Sequence, residues 1–226
     1  FINVISHQLR TPLTSISWNL ESLVSGDLGD LEPQQLEFLR ATKKASSDII
    51  DRIADMVTAL DIEEDKLRLT PEEVSVESLW AAVRSGLDDQ IKVKRLQVTY
   101  NAPKSSLPNI TADREKVTDV INHLVKNSII FSHEEGKIVV DLSKSKSMIK
   151  FEIEDYGIGI PKGEQGRIFE KFYRGSNAFG AAPDHSGLGL FIAKHFVESH
   201  GGELGYSSKE GKGTTFWFTL PIHSKI

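Results

Sequence analysis

The sequence predicts an α+β protein in which a helical hairpin is followed by an α/β sandwich. Over roughly the first 60 residues, apolar side chains recur every three or four positions, the spacing of one helix face. From residue 72 onward, short segments of alternating polarity, typical of half-buried strands, are interspersed with further helical patterns. A charged segment, residues 61–71, ends in proline and separates the two patterns. We therefore predict one domain at residues 1–65 and a second at residues 66–226.

The composition is that of an ordinary globular protein and argues against some classes of function. Hydrophobic residues make up 39% and charged residues 26% of the chain, and the net charge of −5 argues against nucleic-acid binding. The lack of cysteine excludes disulfides and thiolate chemistry and fits a reducing compartment. No apolar run approaches the roughly 20 residues that span a bilayer, and no signal peptide is recognised. We expect a cytoplasmic fragment that makes no membrane contact itself, and we leave membrane attachment of the full-length protein open.

The first helical segment presents a histidine away from its apolar face. With about 100° of rotation per residue, His7 lies roughly 160° from the middle of the apolar stripe. His7 therefore faces solvent or a partner, and Thr11 lies one turn further along the same side. Pro12 cannot donate to the carbonyl of Gln8, so we expect the helix to kink or loosen beside His7. The stripe consists of Ile2, Ile5, Leu9, Leu13, Ile16, Leu20 and Leu23.

A second helix is predicted to fold back on the first. Glycine and aspartate within residues 25–30 break the first helix, and Pro33 suits a first helical position. A single hairpin of this kind buries too little apolar surface, whereas two hairpins can bury both stripes in a four-helix bundle. We therefore predict a homodimer. The second stripe consists of Leu36, Leu39, Ile49, Ile53, Met56 and Leu60.

The second domain is predicted to contain a sheet with helices on one face. A helix should begin after Asp113, a favourable N-cap, and run to about residue 131. Residues 175–187 are rich in Gly, Ala, Ser and Pro and predict a mobile loop. The other predicted helices are residues 77–94 and 188–199, and the predicted strands are residues 74–76, 96–101, 109–112, 137–143, 148–155, 203–208 and 214–220.

Two glycine motifs follow this pattern and suit a nucleotide. Gly157 and Gly159 follow a predicted strand that ends at Asp155, where a carboxylate can accept a hydrogen bond from the amine of adenine. Gly187 and Gly189 precede a predicted helix whose first N–H groups suit phosphates. Either motif alone is also typical of an ordinary turn or helix cap.

Three further side chains lie on the segments around these motifs. Asn127, on the helix before the first motif, offers a hard oxygen ligand suited to Mg²⁺. Arg174 can reach a phosphate, and the nearby Phe169 and Phe172 can anchor the glycine-rich loop. Taken singly, the asparagine also suits a solvated helix face and the phenylalanines a core.

In their order along the chain, these motifs resemble the boxes of sensor histidine kinases. Ser6-His7-Gln8-Leu9-Arg10-Thr11-Pro12 resembles the phosphoacceptor box, and Asn127, Asp155-x-Gly-x-Gly, Phe-x-x-Phe and Gly-x-Gly-Leu resemble the four nucleotide-binding boxes. The resemblance implies a dimerisation hairpin followed by a Bergerat-type ATP-binding domain with a lid at residues 175–186. It also implies autophosphorylation of His7 from ATP with Mg²⁺, and transfer to an aspartate of a response-regulator receiver domain.

On this resemblance we assign roles to particular residues. His7 is the phosphoacceptor, Gln8 its neighbour, Thr11 a residue for dephosphorylating the regulator, and Arg174 a γ-phosphate contact. Asn127, with His123, is assigned to the metal. The nucleotide contacts comprise Asn127, Phe131, Asp155, Gly157, Gly159, Ile160, Phe172, Arg174, Gly187, Leu188, Gly189 and Thr215.

Three positions depart from the family pattern and leave two alternatives open. Gln8 replaces an acidic residue, His123 an asparagine and Ile130 a basic residue. Glutamine accepts a hydrogen bond but carries neither proton nor charge, and isoleucine supplies no cation near the phosphates. These changes also suit a slow, degenerate or phosphatase-biased signalling dimer. A Bergerat-type ATPase without phosphotransfer is the second alternative, against which the hairpin carrying His7 argues.

Overall fold

The computed structural model describes the backbone of residues 2–103, 105–181 and 185–223, and the side chains of residues 8–9, 11–103, 105–180 and 185–223. Two compact units are present, Phe1–Lys66 and Leu67–Ile226. None of the helices in these described ranges is both long and apolar enough to cross a membrane.

The first unit is a hairpin of two helices, α1 (Ile2–Val24) and α2 (Pro33–Glu63). As predicted, α2 begins at Pro33, and the backbone N–H of Glu32 donates to Oε1 of Gln35 at 3.0 Å in a capping box. Helix α1 continues through Pro12. Several members of the two apolar stripes remain substantially exposed in the single chain, namely Leu9, Ile16, Ile49 and Met56.

The second unit is an α/β sandwich with a mixed five-stranded sheet in the order β2-β4-β5-β7-β6. Strands β2 and β4 are parallel and the other pairs antiparallel, while β1 and β3 form a separate antiparallel pair. The elements in chain order are β1 (Pro71–Val74), α3 (Val76–Gly86), α4 (Asp88–Val93), β2 (Gln97–Asn101), β3 (Ile110–Asp113), α5 (Arg114–Phe131), β4 (Lys137–Ser145), β5 (Met148–Asp155), a 3-10 turn (Gln165–Arg167), α6 (Ala178–Ala181), α7 (Gly189–Ser199), β6 (Glu203–Lys209) and β7 (Gly213–Pro221).

The core lies between one face of this sheet and helices α3, α5 and α7. Every second residue of β5 is buried, and Phe151 stacks on Phe218 of β7 with ring centroids 5.2 Å apart. Trp80 of α3 packs on the same Phe151 ring at 6.0 Å. The other face carries partly exposed residues such as Glu152 and Trp217. The prediction of an α+β protein with helices on one face of the sheet is confirmed.

Two of the predicted elements are wrong in detail, and the segment predicted as a loop, residues 175–187, contains the short helix α6. Residues 77–94 do not form one helix, because the backbone at Leu87 leaves helical geometry and separates α3 from α4. The predicted strand at residues 74–76 lies instead at Pro71–Val74, and Ser75 caps α3 by accepting from the N–H of Ser78 at 3.3 Å. By contrast, α5 begins as predicted, with Asp113 Oδ1 accepting from the N–H of Lys116 at 3.1 Å.

Candidate active site

Helix α5 brings the two glycine motifs to one surface. His123, Asn127 and Phe131 are four residues apart and therefore share a face of α5 about 12 Å long. The backbone of Phe131 contacts Gly157 after β5, and the His123 imidazole contacts Gly189 at the start of α7. The half-exposed Asn127 lies midway between these contacts. This strip of α5, from His123 through Asn127 to Phe131, therefore connects Gly189 of the second glycine motif with Gly157 of the first.

The turn after β5 is held against the end of α5 by close backbone contact. A Cβ atom on Gly157 would lie 1.9 Å from the carbonyl oxygen of Phe131, so only glycine fits there. The N–H of the next residue, Ile158, donates to that same carbonyl at 3.1 Å. Ile160 is fixed through its N–H, which donates to Oγ of Ser208 at 2.9 Å.

Asp155 is a buried carboxylate at the end of β5, with 4% of its surface exposed. Its Oδ1 accepts hydrogen bonds from the N–H groups of Gly157 at 3.1 Å and Thr214 at 3.2 Å. Burial nevertheless raises the pKa of Asp155 to about 6, because desolvation outweighs these two hydrogen bonds. The position suits a hydrogen-bond acceptor for the amine of a base.

Thr214, which the motif reasoning missed, shares the face of Asp155. The two residues are directly paired between β5 and β7, whereas Thr215 is paired with Glu154. Since side chains alternate along a strand, Thr215 points to the opposite face of the sheet from Asp155. The structure therefore places Thr214, and not the predicted Thr215, beside the carboxylate. The choice between Thr214 and Thr215 depends on the register of β5 against β7, which the sequence motifs do not contain.

The second glycine motif packs on the segment that carries the two phenylalanines. Gly187 has a φ of +70°, and a Cβ there would lie 2.8 Å from the Phe172 backbone. Leu188 is 1% exposed, and its N–H donates to Oγ of Ser186 at 3.3 Å. The side chain of Leu188 therefore packs in the core and does not face a ligand. Gly189 opens α7 directly against His123.

The aromatic residues between the glycine motifs have different surroundings. Phe169 packs edge-on against Tyr206 with ring centroids 5.7 Å apart, which anchors this segment to β6. Phe172 is 60% exposed and adopts a φ of +60°. The guanidinium of Arg174 lies 4.2 Å from the ring centre of Phe179 in α6, so the predicted phosphate contact is stacked on the predicted lid. Within that lid, residues 182–184 lie outside the described residues.

The surroundings of Asn127 suit Mg²⁺ and do not form a closed metal site built from protein ligands alone. Among the described residues no cluster of three or more His, Cys, Asp or Glu side chains could hold a metal ion. Mg²⁺ is usually held by one or two protein ligands together with substrate phosphates and waters, so a single amide oxygen from Asn127 is sufficient. His123 packs on Gly189 and is a softer ligand than Mg²⁺ prefers.

A lysine that the sequence analysis missed holds the end of α5. Lys94 Nζ donates to the carbonyl oxygens of Ile129 at 3.0 Å, Ile130 at 2.5 Å and Ser132 at 2.9 Å. Burial lowers the pKa of Lys94 from its ordinary value. A cation at a helix C-terminus satisfies the last carbonyls and interacts favourably with the helix dipole. Half-buried Ile130 itself supplies no charge near Asn127.

The residues assigned to phosphotransfer lie in the first unit, on α1. The side chain of His7 is outside the described residues, although its backbone is helical. Gln8 and Thr11 are exposed. Thr11 lies one helical turn from His7, as the spacing predicts.

Comparison with known proteins identifies the family. Residues 112–224, half of the chain, match the model described as "Histidine kinase-, DNA gyrase B-, and HSP90-like ATPase", and residues 1–64 match "His Kinase A (phospho-acceptor) domain". The chain belongs to the sensor histidine kinase family. It is a histidine kinase catalytic core, as the sequence motifs predicted, and the second match gives no support to an ATPase without a phosphoacceptor region.

The relatives of this histidine kinase core are longer proteins. Sensor histidine kinase WalK of Bacillus subtilis is 30% identical over 98% of this chain and 36% of WalK. Signal transduction histidine-protein kinase BarA of Escherichia coli K12 is 31% identical over 98% of this chain and 24% of BarA. The chain thus spans between about a quarter and just over a third of these relatives.

Solved histidine kinases have the same fold. Full-length ShkA in complex with AMPPNP superposes with a TM-score of 0.75 at 23% identity, covering 99% of this chain and 46% of ShkA. Acinetobacter baumannii AdeS superposes with a TM-score of 0.65 at 22% identity, covering 96% of this chain and 98% of AdeS.

Proposed function

We propose that this kinase core binds ATP with Mg²⁺, phosphorylates His7 and passes the phosphoryl group to an aspartate of a response-regulator receiver domain. The main support for the proposal is the face of α5 that holds Asn127. This face contacts both glycine motifs, the first of which lies beside Asp155. The match to an ATPase-like family model and the fold shared with ShkA, solved with AMPPNP, support ATP as the ligand.

The base and the phosphates would bind at opposite ends of this strip. The carboxylate of Asp155 would accept a hydrogen bond from the adenine amine beside the Gly157 turn. The first N–H groups of α7, opened by Gly189, would face the phosphates at the His123 end. Asn127, between the two ends, would supply an oxygen to Mg²⁺, which when bound neutralises phosphate charge.

The phosphoryl transfer would use His7 as the nucleophile. An unprotonated ring nitrogen of His7 attacks the γ-phosphorus, and the bond to the β–γ bridging oxygen breaks, so that ADP leaves. Gln8 would accept a hydrogen bond from the imidazole without taking up charge. The receiver aspartate would then attack the phosphorus of phospho-His7 and regenerate the imidazole.

The proposal also includes a homodimer and a hydrolytic role for Thr11. The exposed apolar residues on α1 and α2 support self-association of the hairpin. The exposed Thr11 hydroxyl, one turn from His7, would orient a water towards a docked phospho-aspartate. A cytoplasmic location is proposed with this function, because ATP and receiver domains are found there.

Labelling with ATP tests the proposal. The protein incubated with Mg²⁺ and ATP labelled at the γ-phosphate should acquire an acid-labile, alkali-stable phosphoryl group. His7→Gln should abolish this label while leaving the nucleotide dissociation constant unchanged, and Thr11→Ala should retain the label and slow regulator dephosphorylation. Acid-stable label in the His7→Gln protein would contradict the assignment.

The second candidate function is a slow or phosphatase-biased signalling dimer. Gln8 and Ile130 favour it, since each removes a charged group that the family usually supplies at that place. Such a protein would bind ATP and dephosphorylate a regulator with little phosphoryl-histidine formed. Measuring autophosphorylation and regulator dephosphorylation on the same preparation separates the two functions.

A further inference from the structure

The hydroxyl of Ser128 is buried without a hydrogen-bond partner next to the proposed nucleotide site. Ser128 follows Asn127 on α5 and is fully buried. Within the described part of the chain, its Oγ makes no hydrogen bond. A buried hydroxyl without a partner costs free energy, so its presence at this position calls for a physical reason.

Two other hydroxyls, one on α5 and one at its C-terminal end, find a partner in the preceding turn. Ser132 Oγ donates to the carbonyl of Ser128 at 2.6 Å, and Thr118 Oγ1 donates to that of Arg114 at 2.7 Å. This bond to the residue four positions earlier is the usual solution for serine and threonine in a helix. The Ser128 hydroxyl does not adopt it.

The contacts of α5 place Ser128 on the side of the helix that meets the end of β5. Ser132, one turn further on, contacts Gly157 so closely that a Cβ there would lie 2.9 Å from its Cα. Ser128 precedes Ser132 by four residues, about 6 Å along the helix axis, and therefore lies on the same side of α5 as the residue that contacts the turn after Asp155. Asp155 is itself buried on the face of the sheet that α5 covers.

Asp155 and Ser128 together offer the hydrogen-bonding pattern that adenine needs. Oδ1 of Asp155 is used by two backbone N–H groups, and within the described residues Oδ2 accepts no hydrogen bond. Adenine presents an amine donor next to a ring-nitrogen acceptor. A carboxylate can satisfy only the donor, whereas a serine hydroxyl can donate to the ring nitrogen. Guanine presents the reverse pattern along that edge, with a carbonyl oxygen next to a ring N–H.

We infer that Ser128 is a specificity-determining residue of the base pocket, whose Oγ donates to the adenine ring nitrogen beside the amine, directly or through one water. The inference rests on the proposed nucleotide-binding function and adds a second recognition group to Asp155. A site built to hydrogen-bond a particular edge rejects a base that lacks it, because the buried polar groups are then left unpaired.

The test compares Ser128→Ala with a control, Ser46→Ala. Ser46 lies on α2 in the other unit, and its hydroxyl is also buried without a hydrogen bond in the described structure. Dissociation constants for ATP and GTP are measured by calorimetry, and unfolding temperatures are measured without nucleotide. Ser128→Ala should weaken ATP binding about tenfold, equivalent to about 1.4 kcal/mol, with GTP affinity unchanged. Its unfolding temperature without nucleotide should not fall, and Ser46→Ala should change neither affinity.

Two results would overturn the inference in distinguishable ways. If the unmodified protein binds ATP and Ser128→Ala leaves the ratio of ATP to GTP affinity unchanged, Ser128 does not read the base. If the unmodified protein binds no ATP, the proposed function fails and the inference with it. Ser128→Cys, which keeps a weak donor, should retain part of the ATP preference if the hydroxyl acts by donation.

Discussion

The carbonyl oxygen of Phe131 accepts the backbone N–H of Ile158 at 3.1 Å. This bond joins the last residue of α5, the helix that carries Asn127, to the turn that follows Asp155. Lys94 reinforces the same helix end by donating to three neighbouring carbonyls. The geometry of the proposed nucleotide site therefore depends on backbone contacts as much as on side chains.

Gly157→Ala should break this junction. The added Cβ would lie 1.9 Å from the Phe131 carbonyl oxygen, and the nearest atoms all belong to the backbone of Phe131 and Ser132, which cannot move aside as a flexible side chain can. Overpacking of this kind typically costs about 1–3 kcal/mol, and we expect the upper end, with ATP affinity strongly reduced. Urea unfolding and calorimetry measure the two effects.

Gly163→Ala is the matched control, because a Cβ there meets nothing within 4 Å. It should change neither the free energy of unfolding nor ATP binding appreciably. A Gly157→Ala protein as stable as the unmodified chain would show that the turn does not rest on α5 as described.

Asp155→Asn should stabilise the nucleotide-free protein above pH 6 while weakening ATP binding at least about tenfold. Burial raises the pKa of Asp155 from 3.8 to about 6, so the ionised carboxylate opposes folding. Asparagine keeps the Oδ1 acceptor without the charge. The full shift corresponds to at most about 3 kcal/mol.

The stabilising effect of Asp155→Asn should depend on pH. Because the folded pKa lies above the unfolded one, protonation of Asp155 favours folding, and its stabilising contribution is lost as the pH rises through 6. The advantage of Asp155→Asn in thermal unfolding should therefore shrink between pH 6 and pH 4. Asp141→Asn, at a less buried carboxylate on β4, is the control and should show no comparable gain. An advantage for Asp155→Asn that is independent of pH would contradict this account.

Local signals predicted α5 well, whereas contacts between distant segments could not be predicted. The Asp113 cap and the apolar periodicity are both encoded within α5, so its start and end agree with the sequence expectation. The break at Leu87 was missed because its buried side chain fits the helical pattern on either side. The juxtaposition of His123 with Gly189, 66 residues apart in the numbering, depends on how α5 and α7 pack.

The hairpin should self-associate through its exposed apolar residues. Ile49 is 44% exposed in the single chain, and Leu9, Ile16 and Met56 are exposed to a similar degree. Ile49→Glu would place a charge in the proposed four-helix bundle and should weaken the dimer by several kcal/mol. Light scattering over a dilution series should show a dimer for the unmodified protein and a shift to monomer for the variant.

Arg52→Glu, a charge reversal at an exposed neighbouring position on α2, should leave the dimer intact. The fold of each variant is checked by circular dichroism. A monomeric, fully folded unmodified chain at micromolar concentration would contradict the dimer.

Autophosphorylation should be slow, and two substitutions should accelerate it. Ile130→Lys restores a cation three residues after Asn127 on α5, where it can stabilise charge on the transferring phosphoryl group. Removing one such stabilising contact typically costs about 10²-fold in rate, so the gain should approach that value. Gln8→Glu restores a carboxylate beside His7 and should raise the rate by a separate route, by polarising the imidazole. Because the two residues act on different reactants, the double variant should be faster than either single one.

Single-turnover labelling at saturating ATP measures these rates without interference from product release. Ile130→Met controls for a change of side-chain shape at residue 130 without added charge. Gln8→Asn controls for moving the amide beside His7 without adding a charge. Neither substitution should accelerate the reaction. The competing explanation is that Arg174, stacked on Phe179 in the predicted lid, already supplies the missing charge. In that case Arg174→Ala would stop the reaction and neither Ile130→Lys nor Gln8→Glu would speed it. If Ile130→Lys accelerates the reaction and Arg174→Ala remains active, the slow rate is instead due to the missing charge on α5.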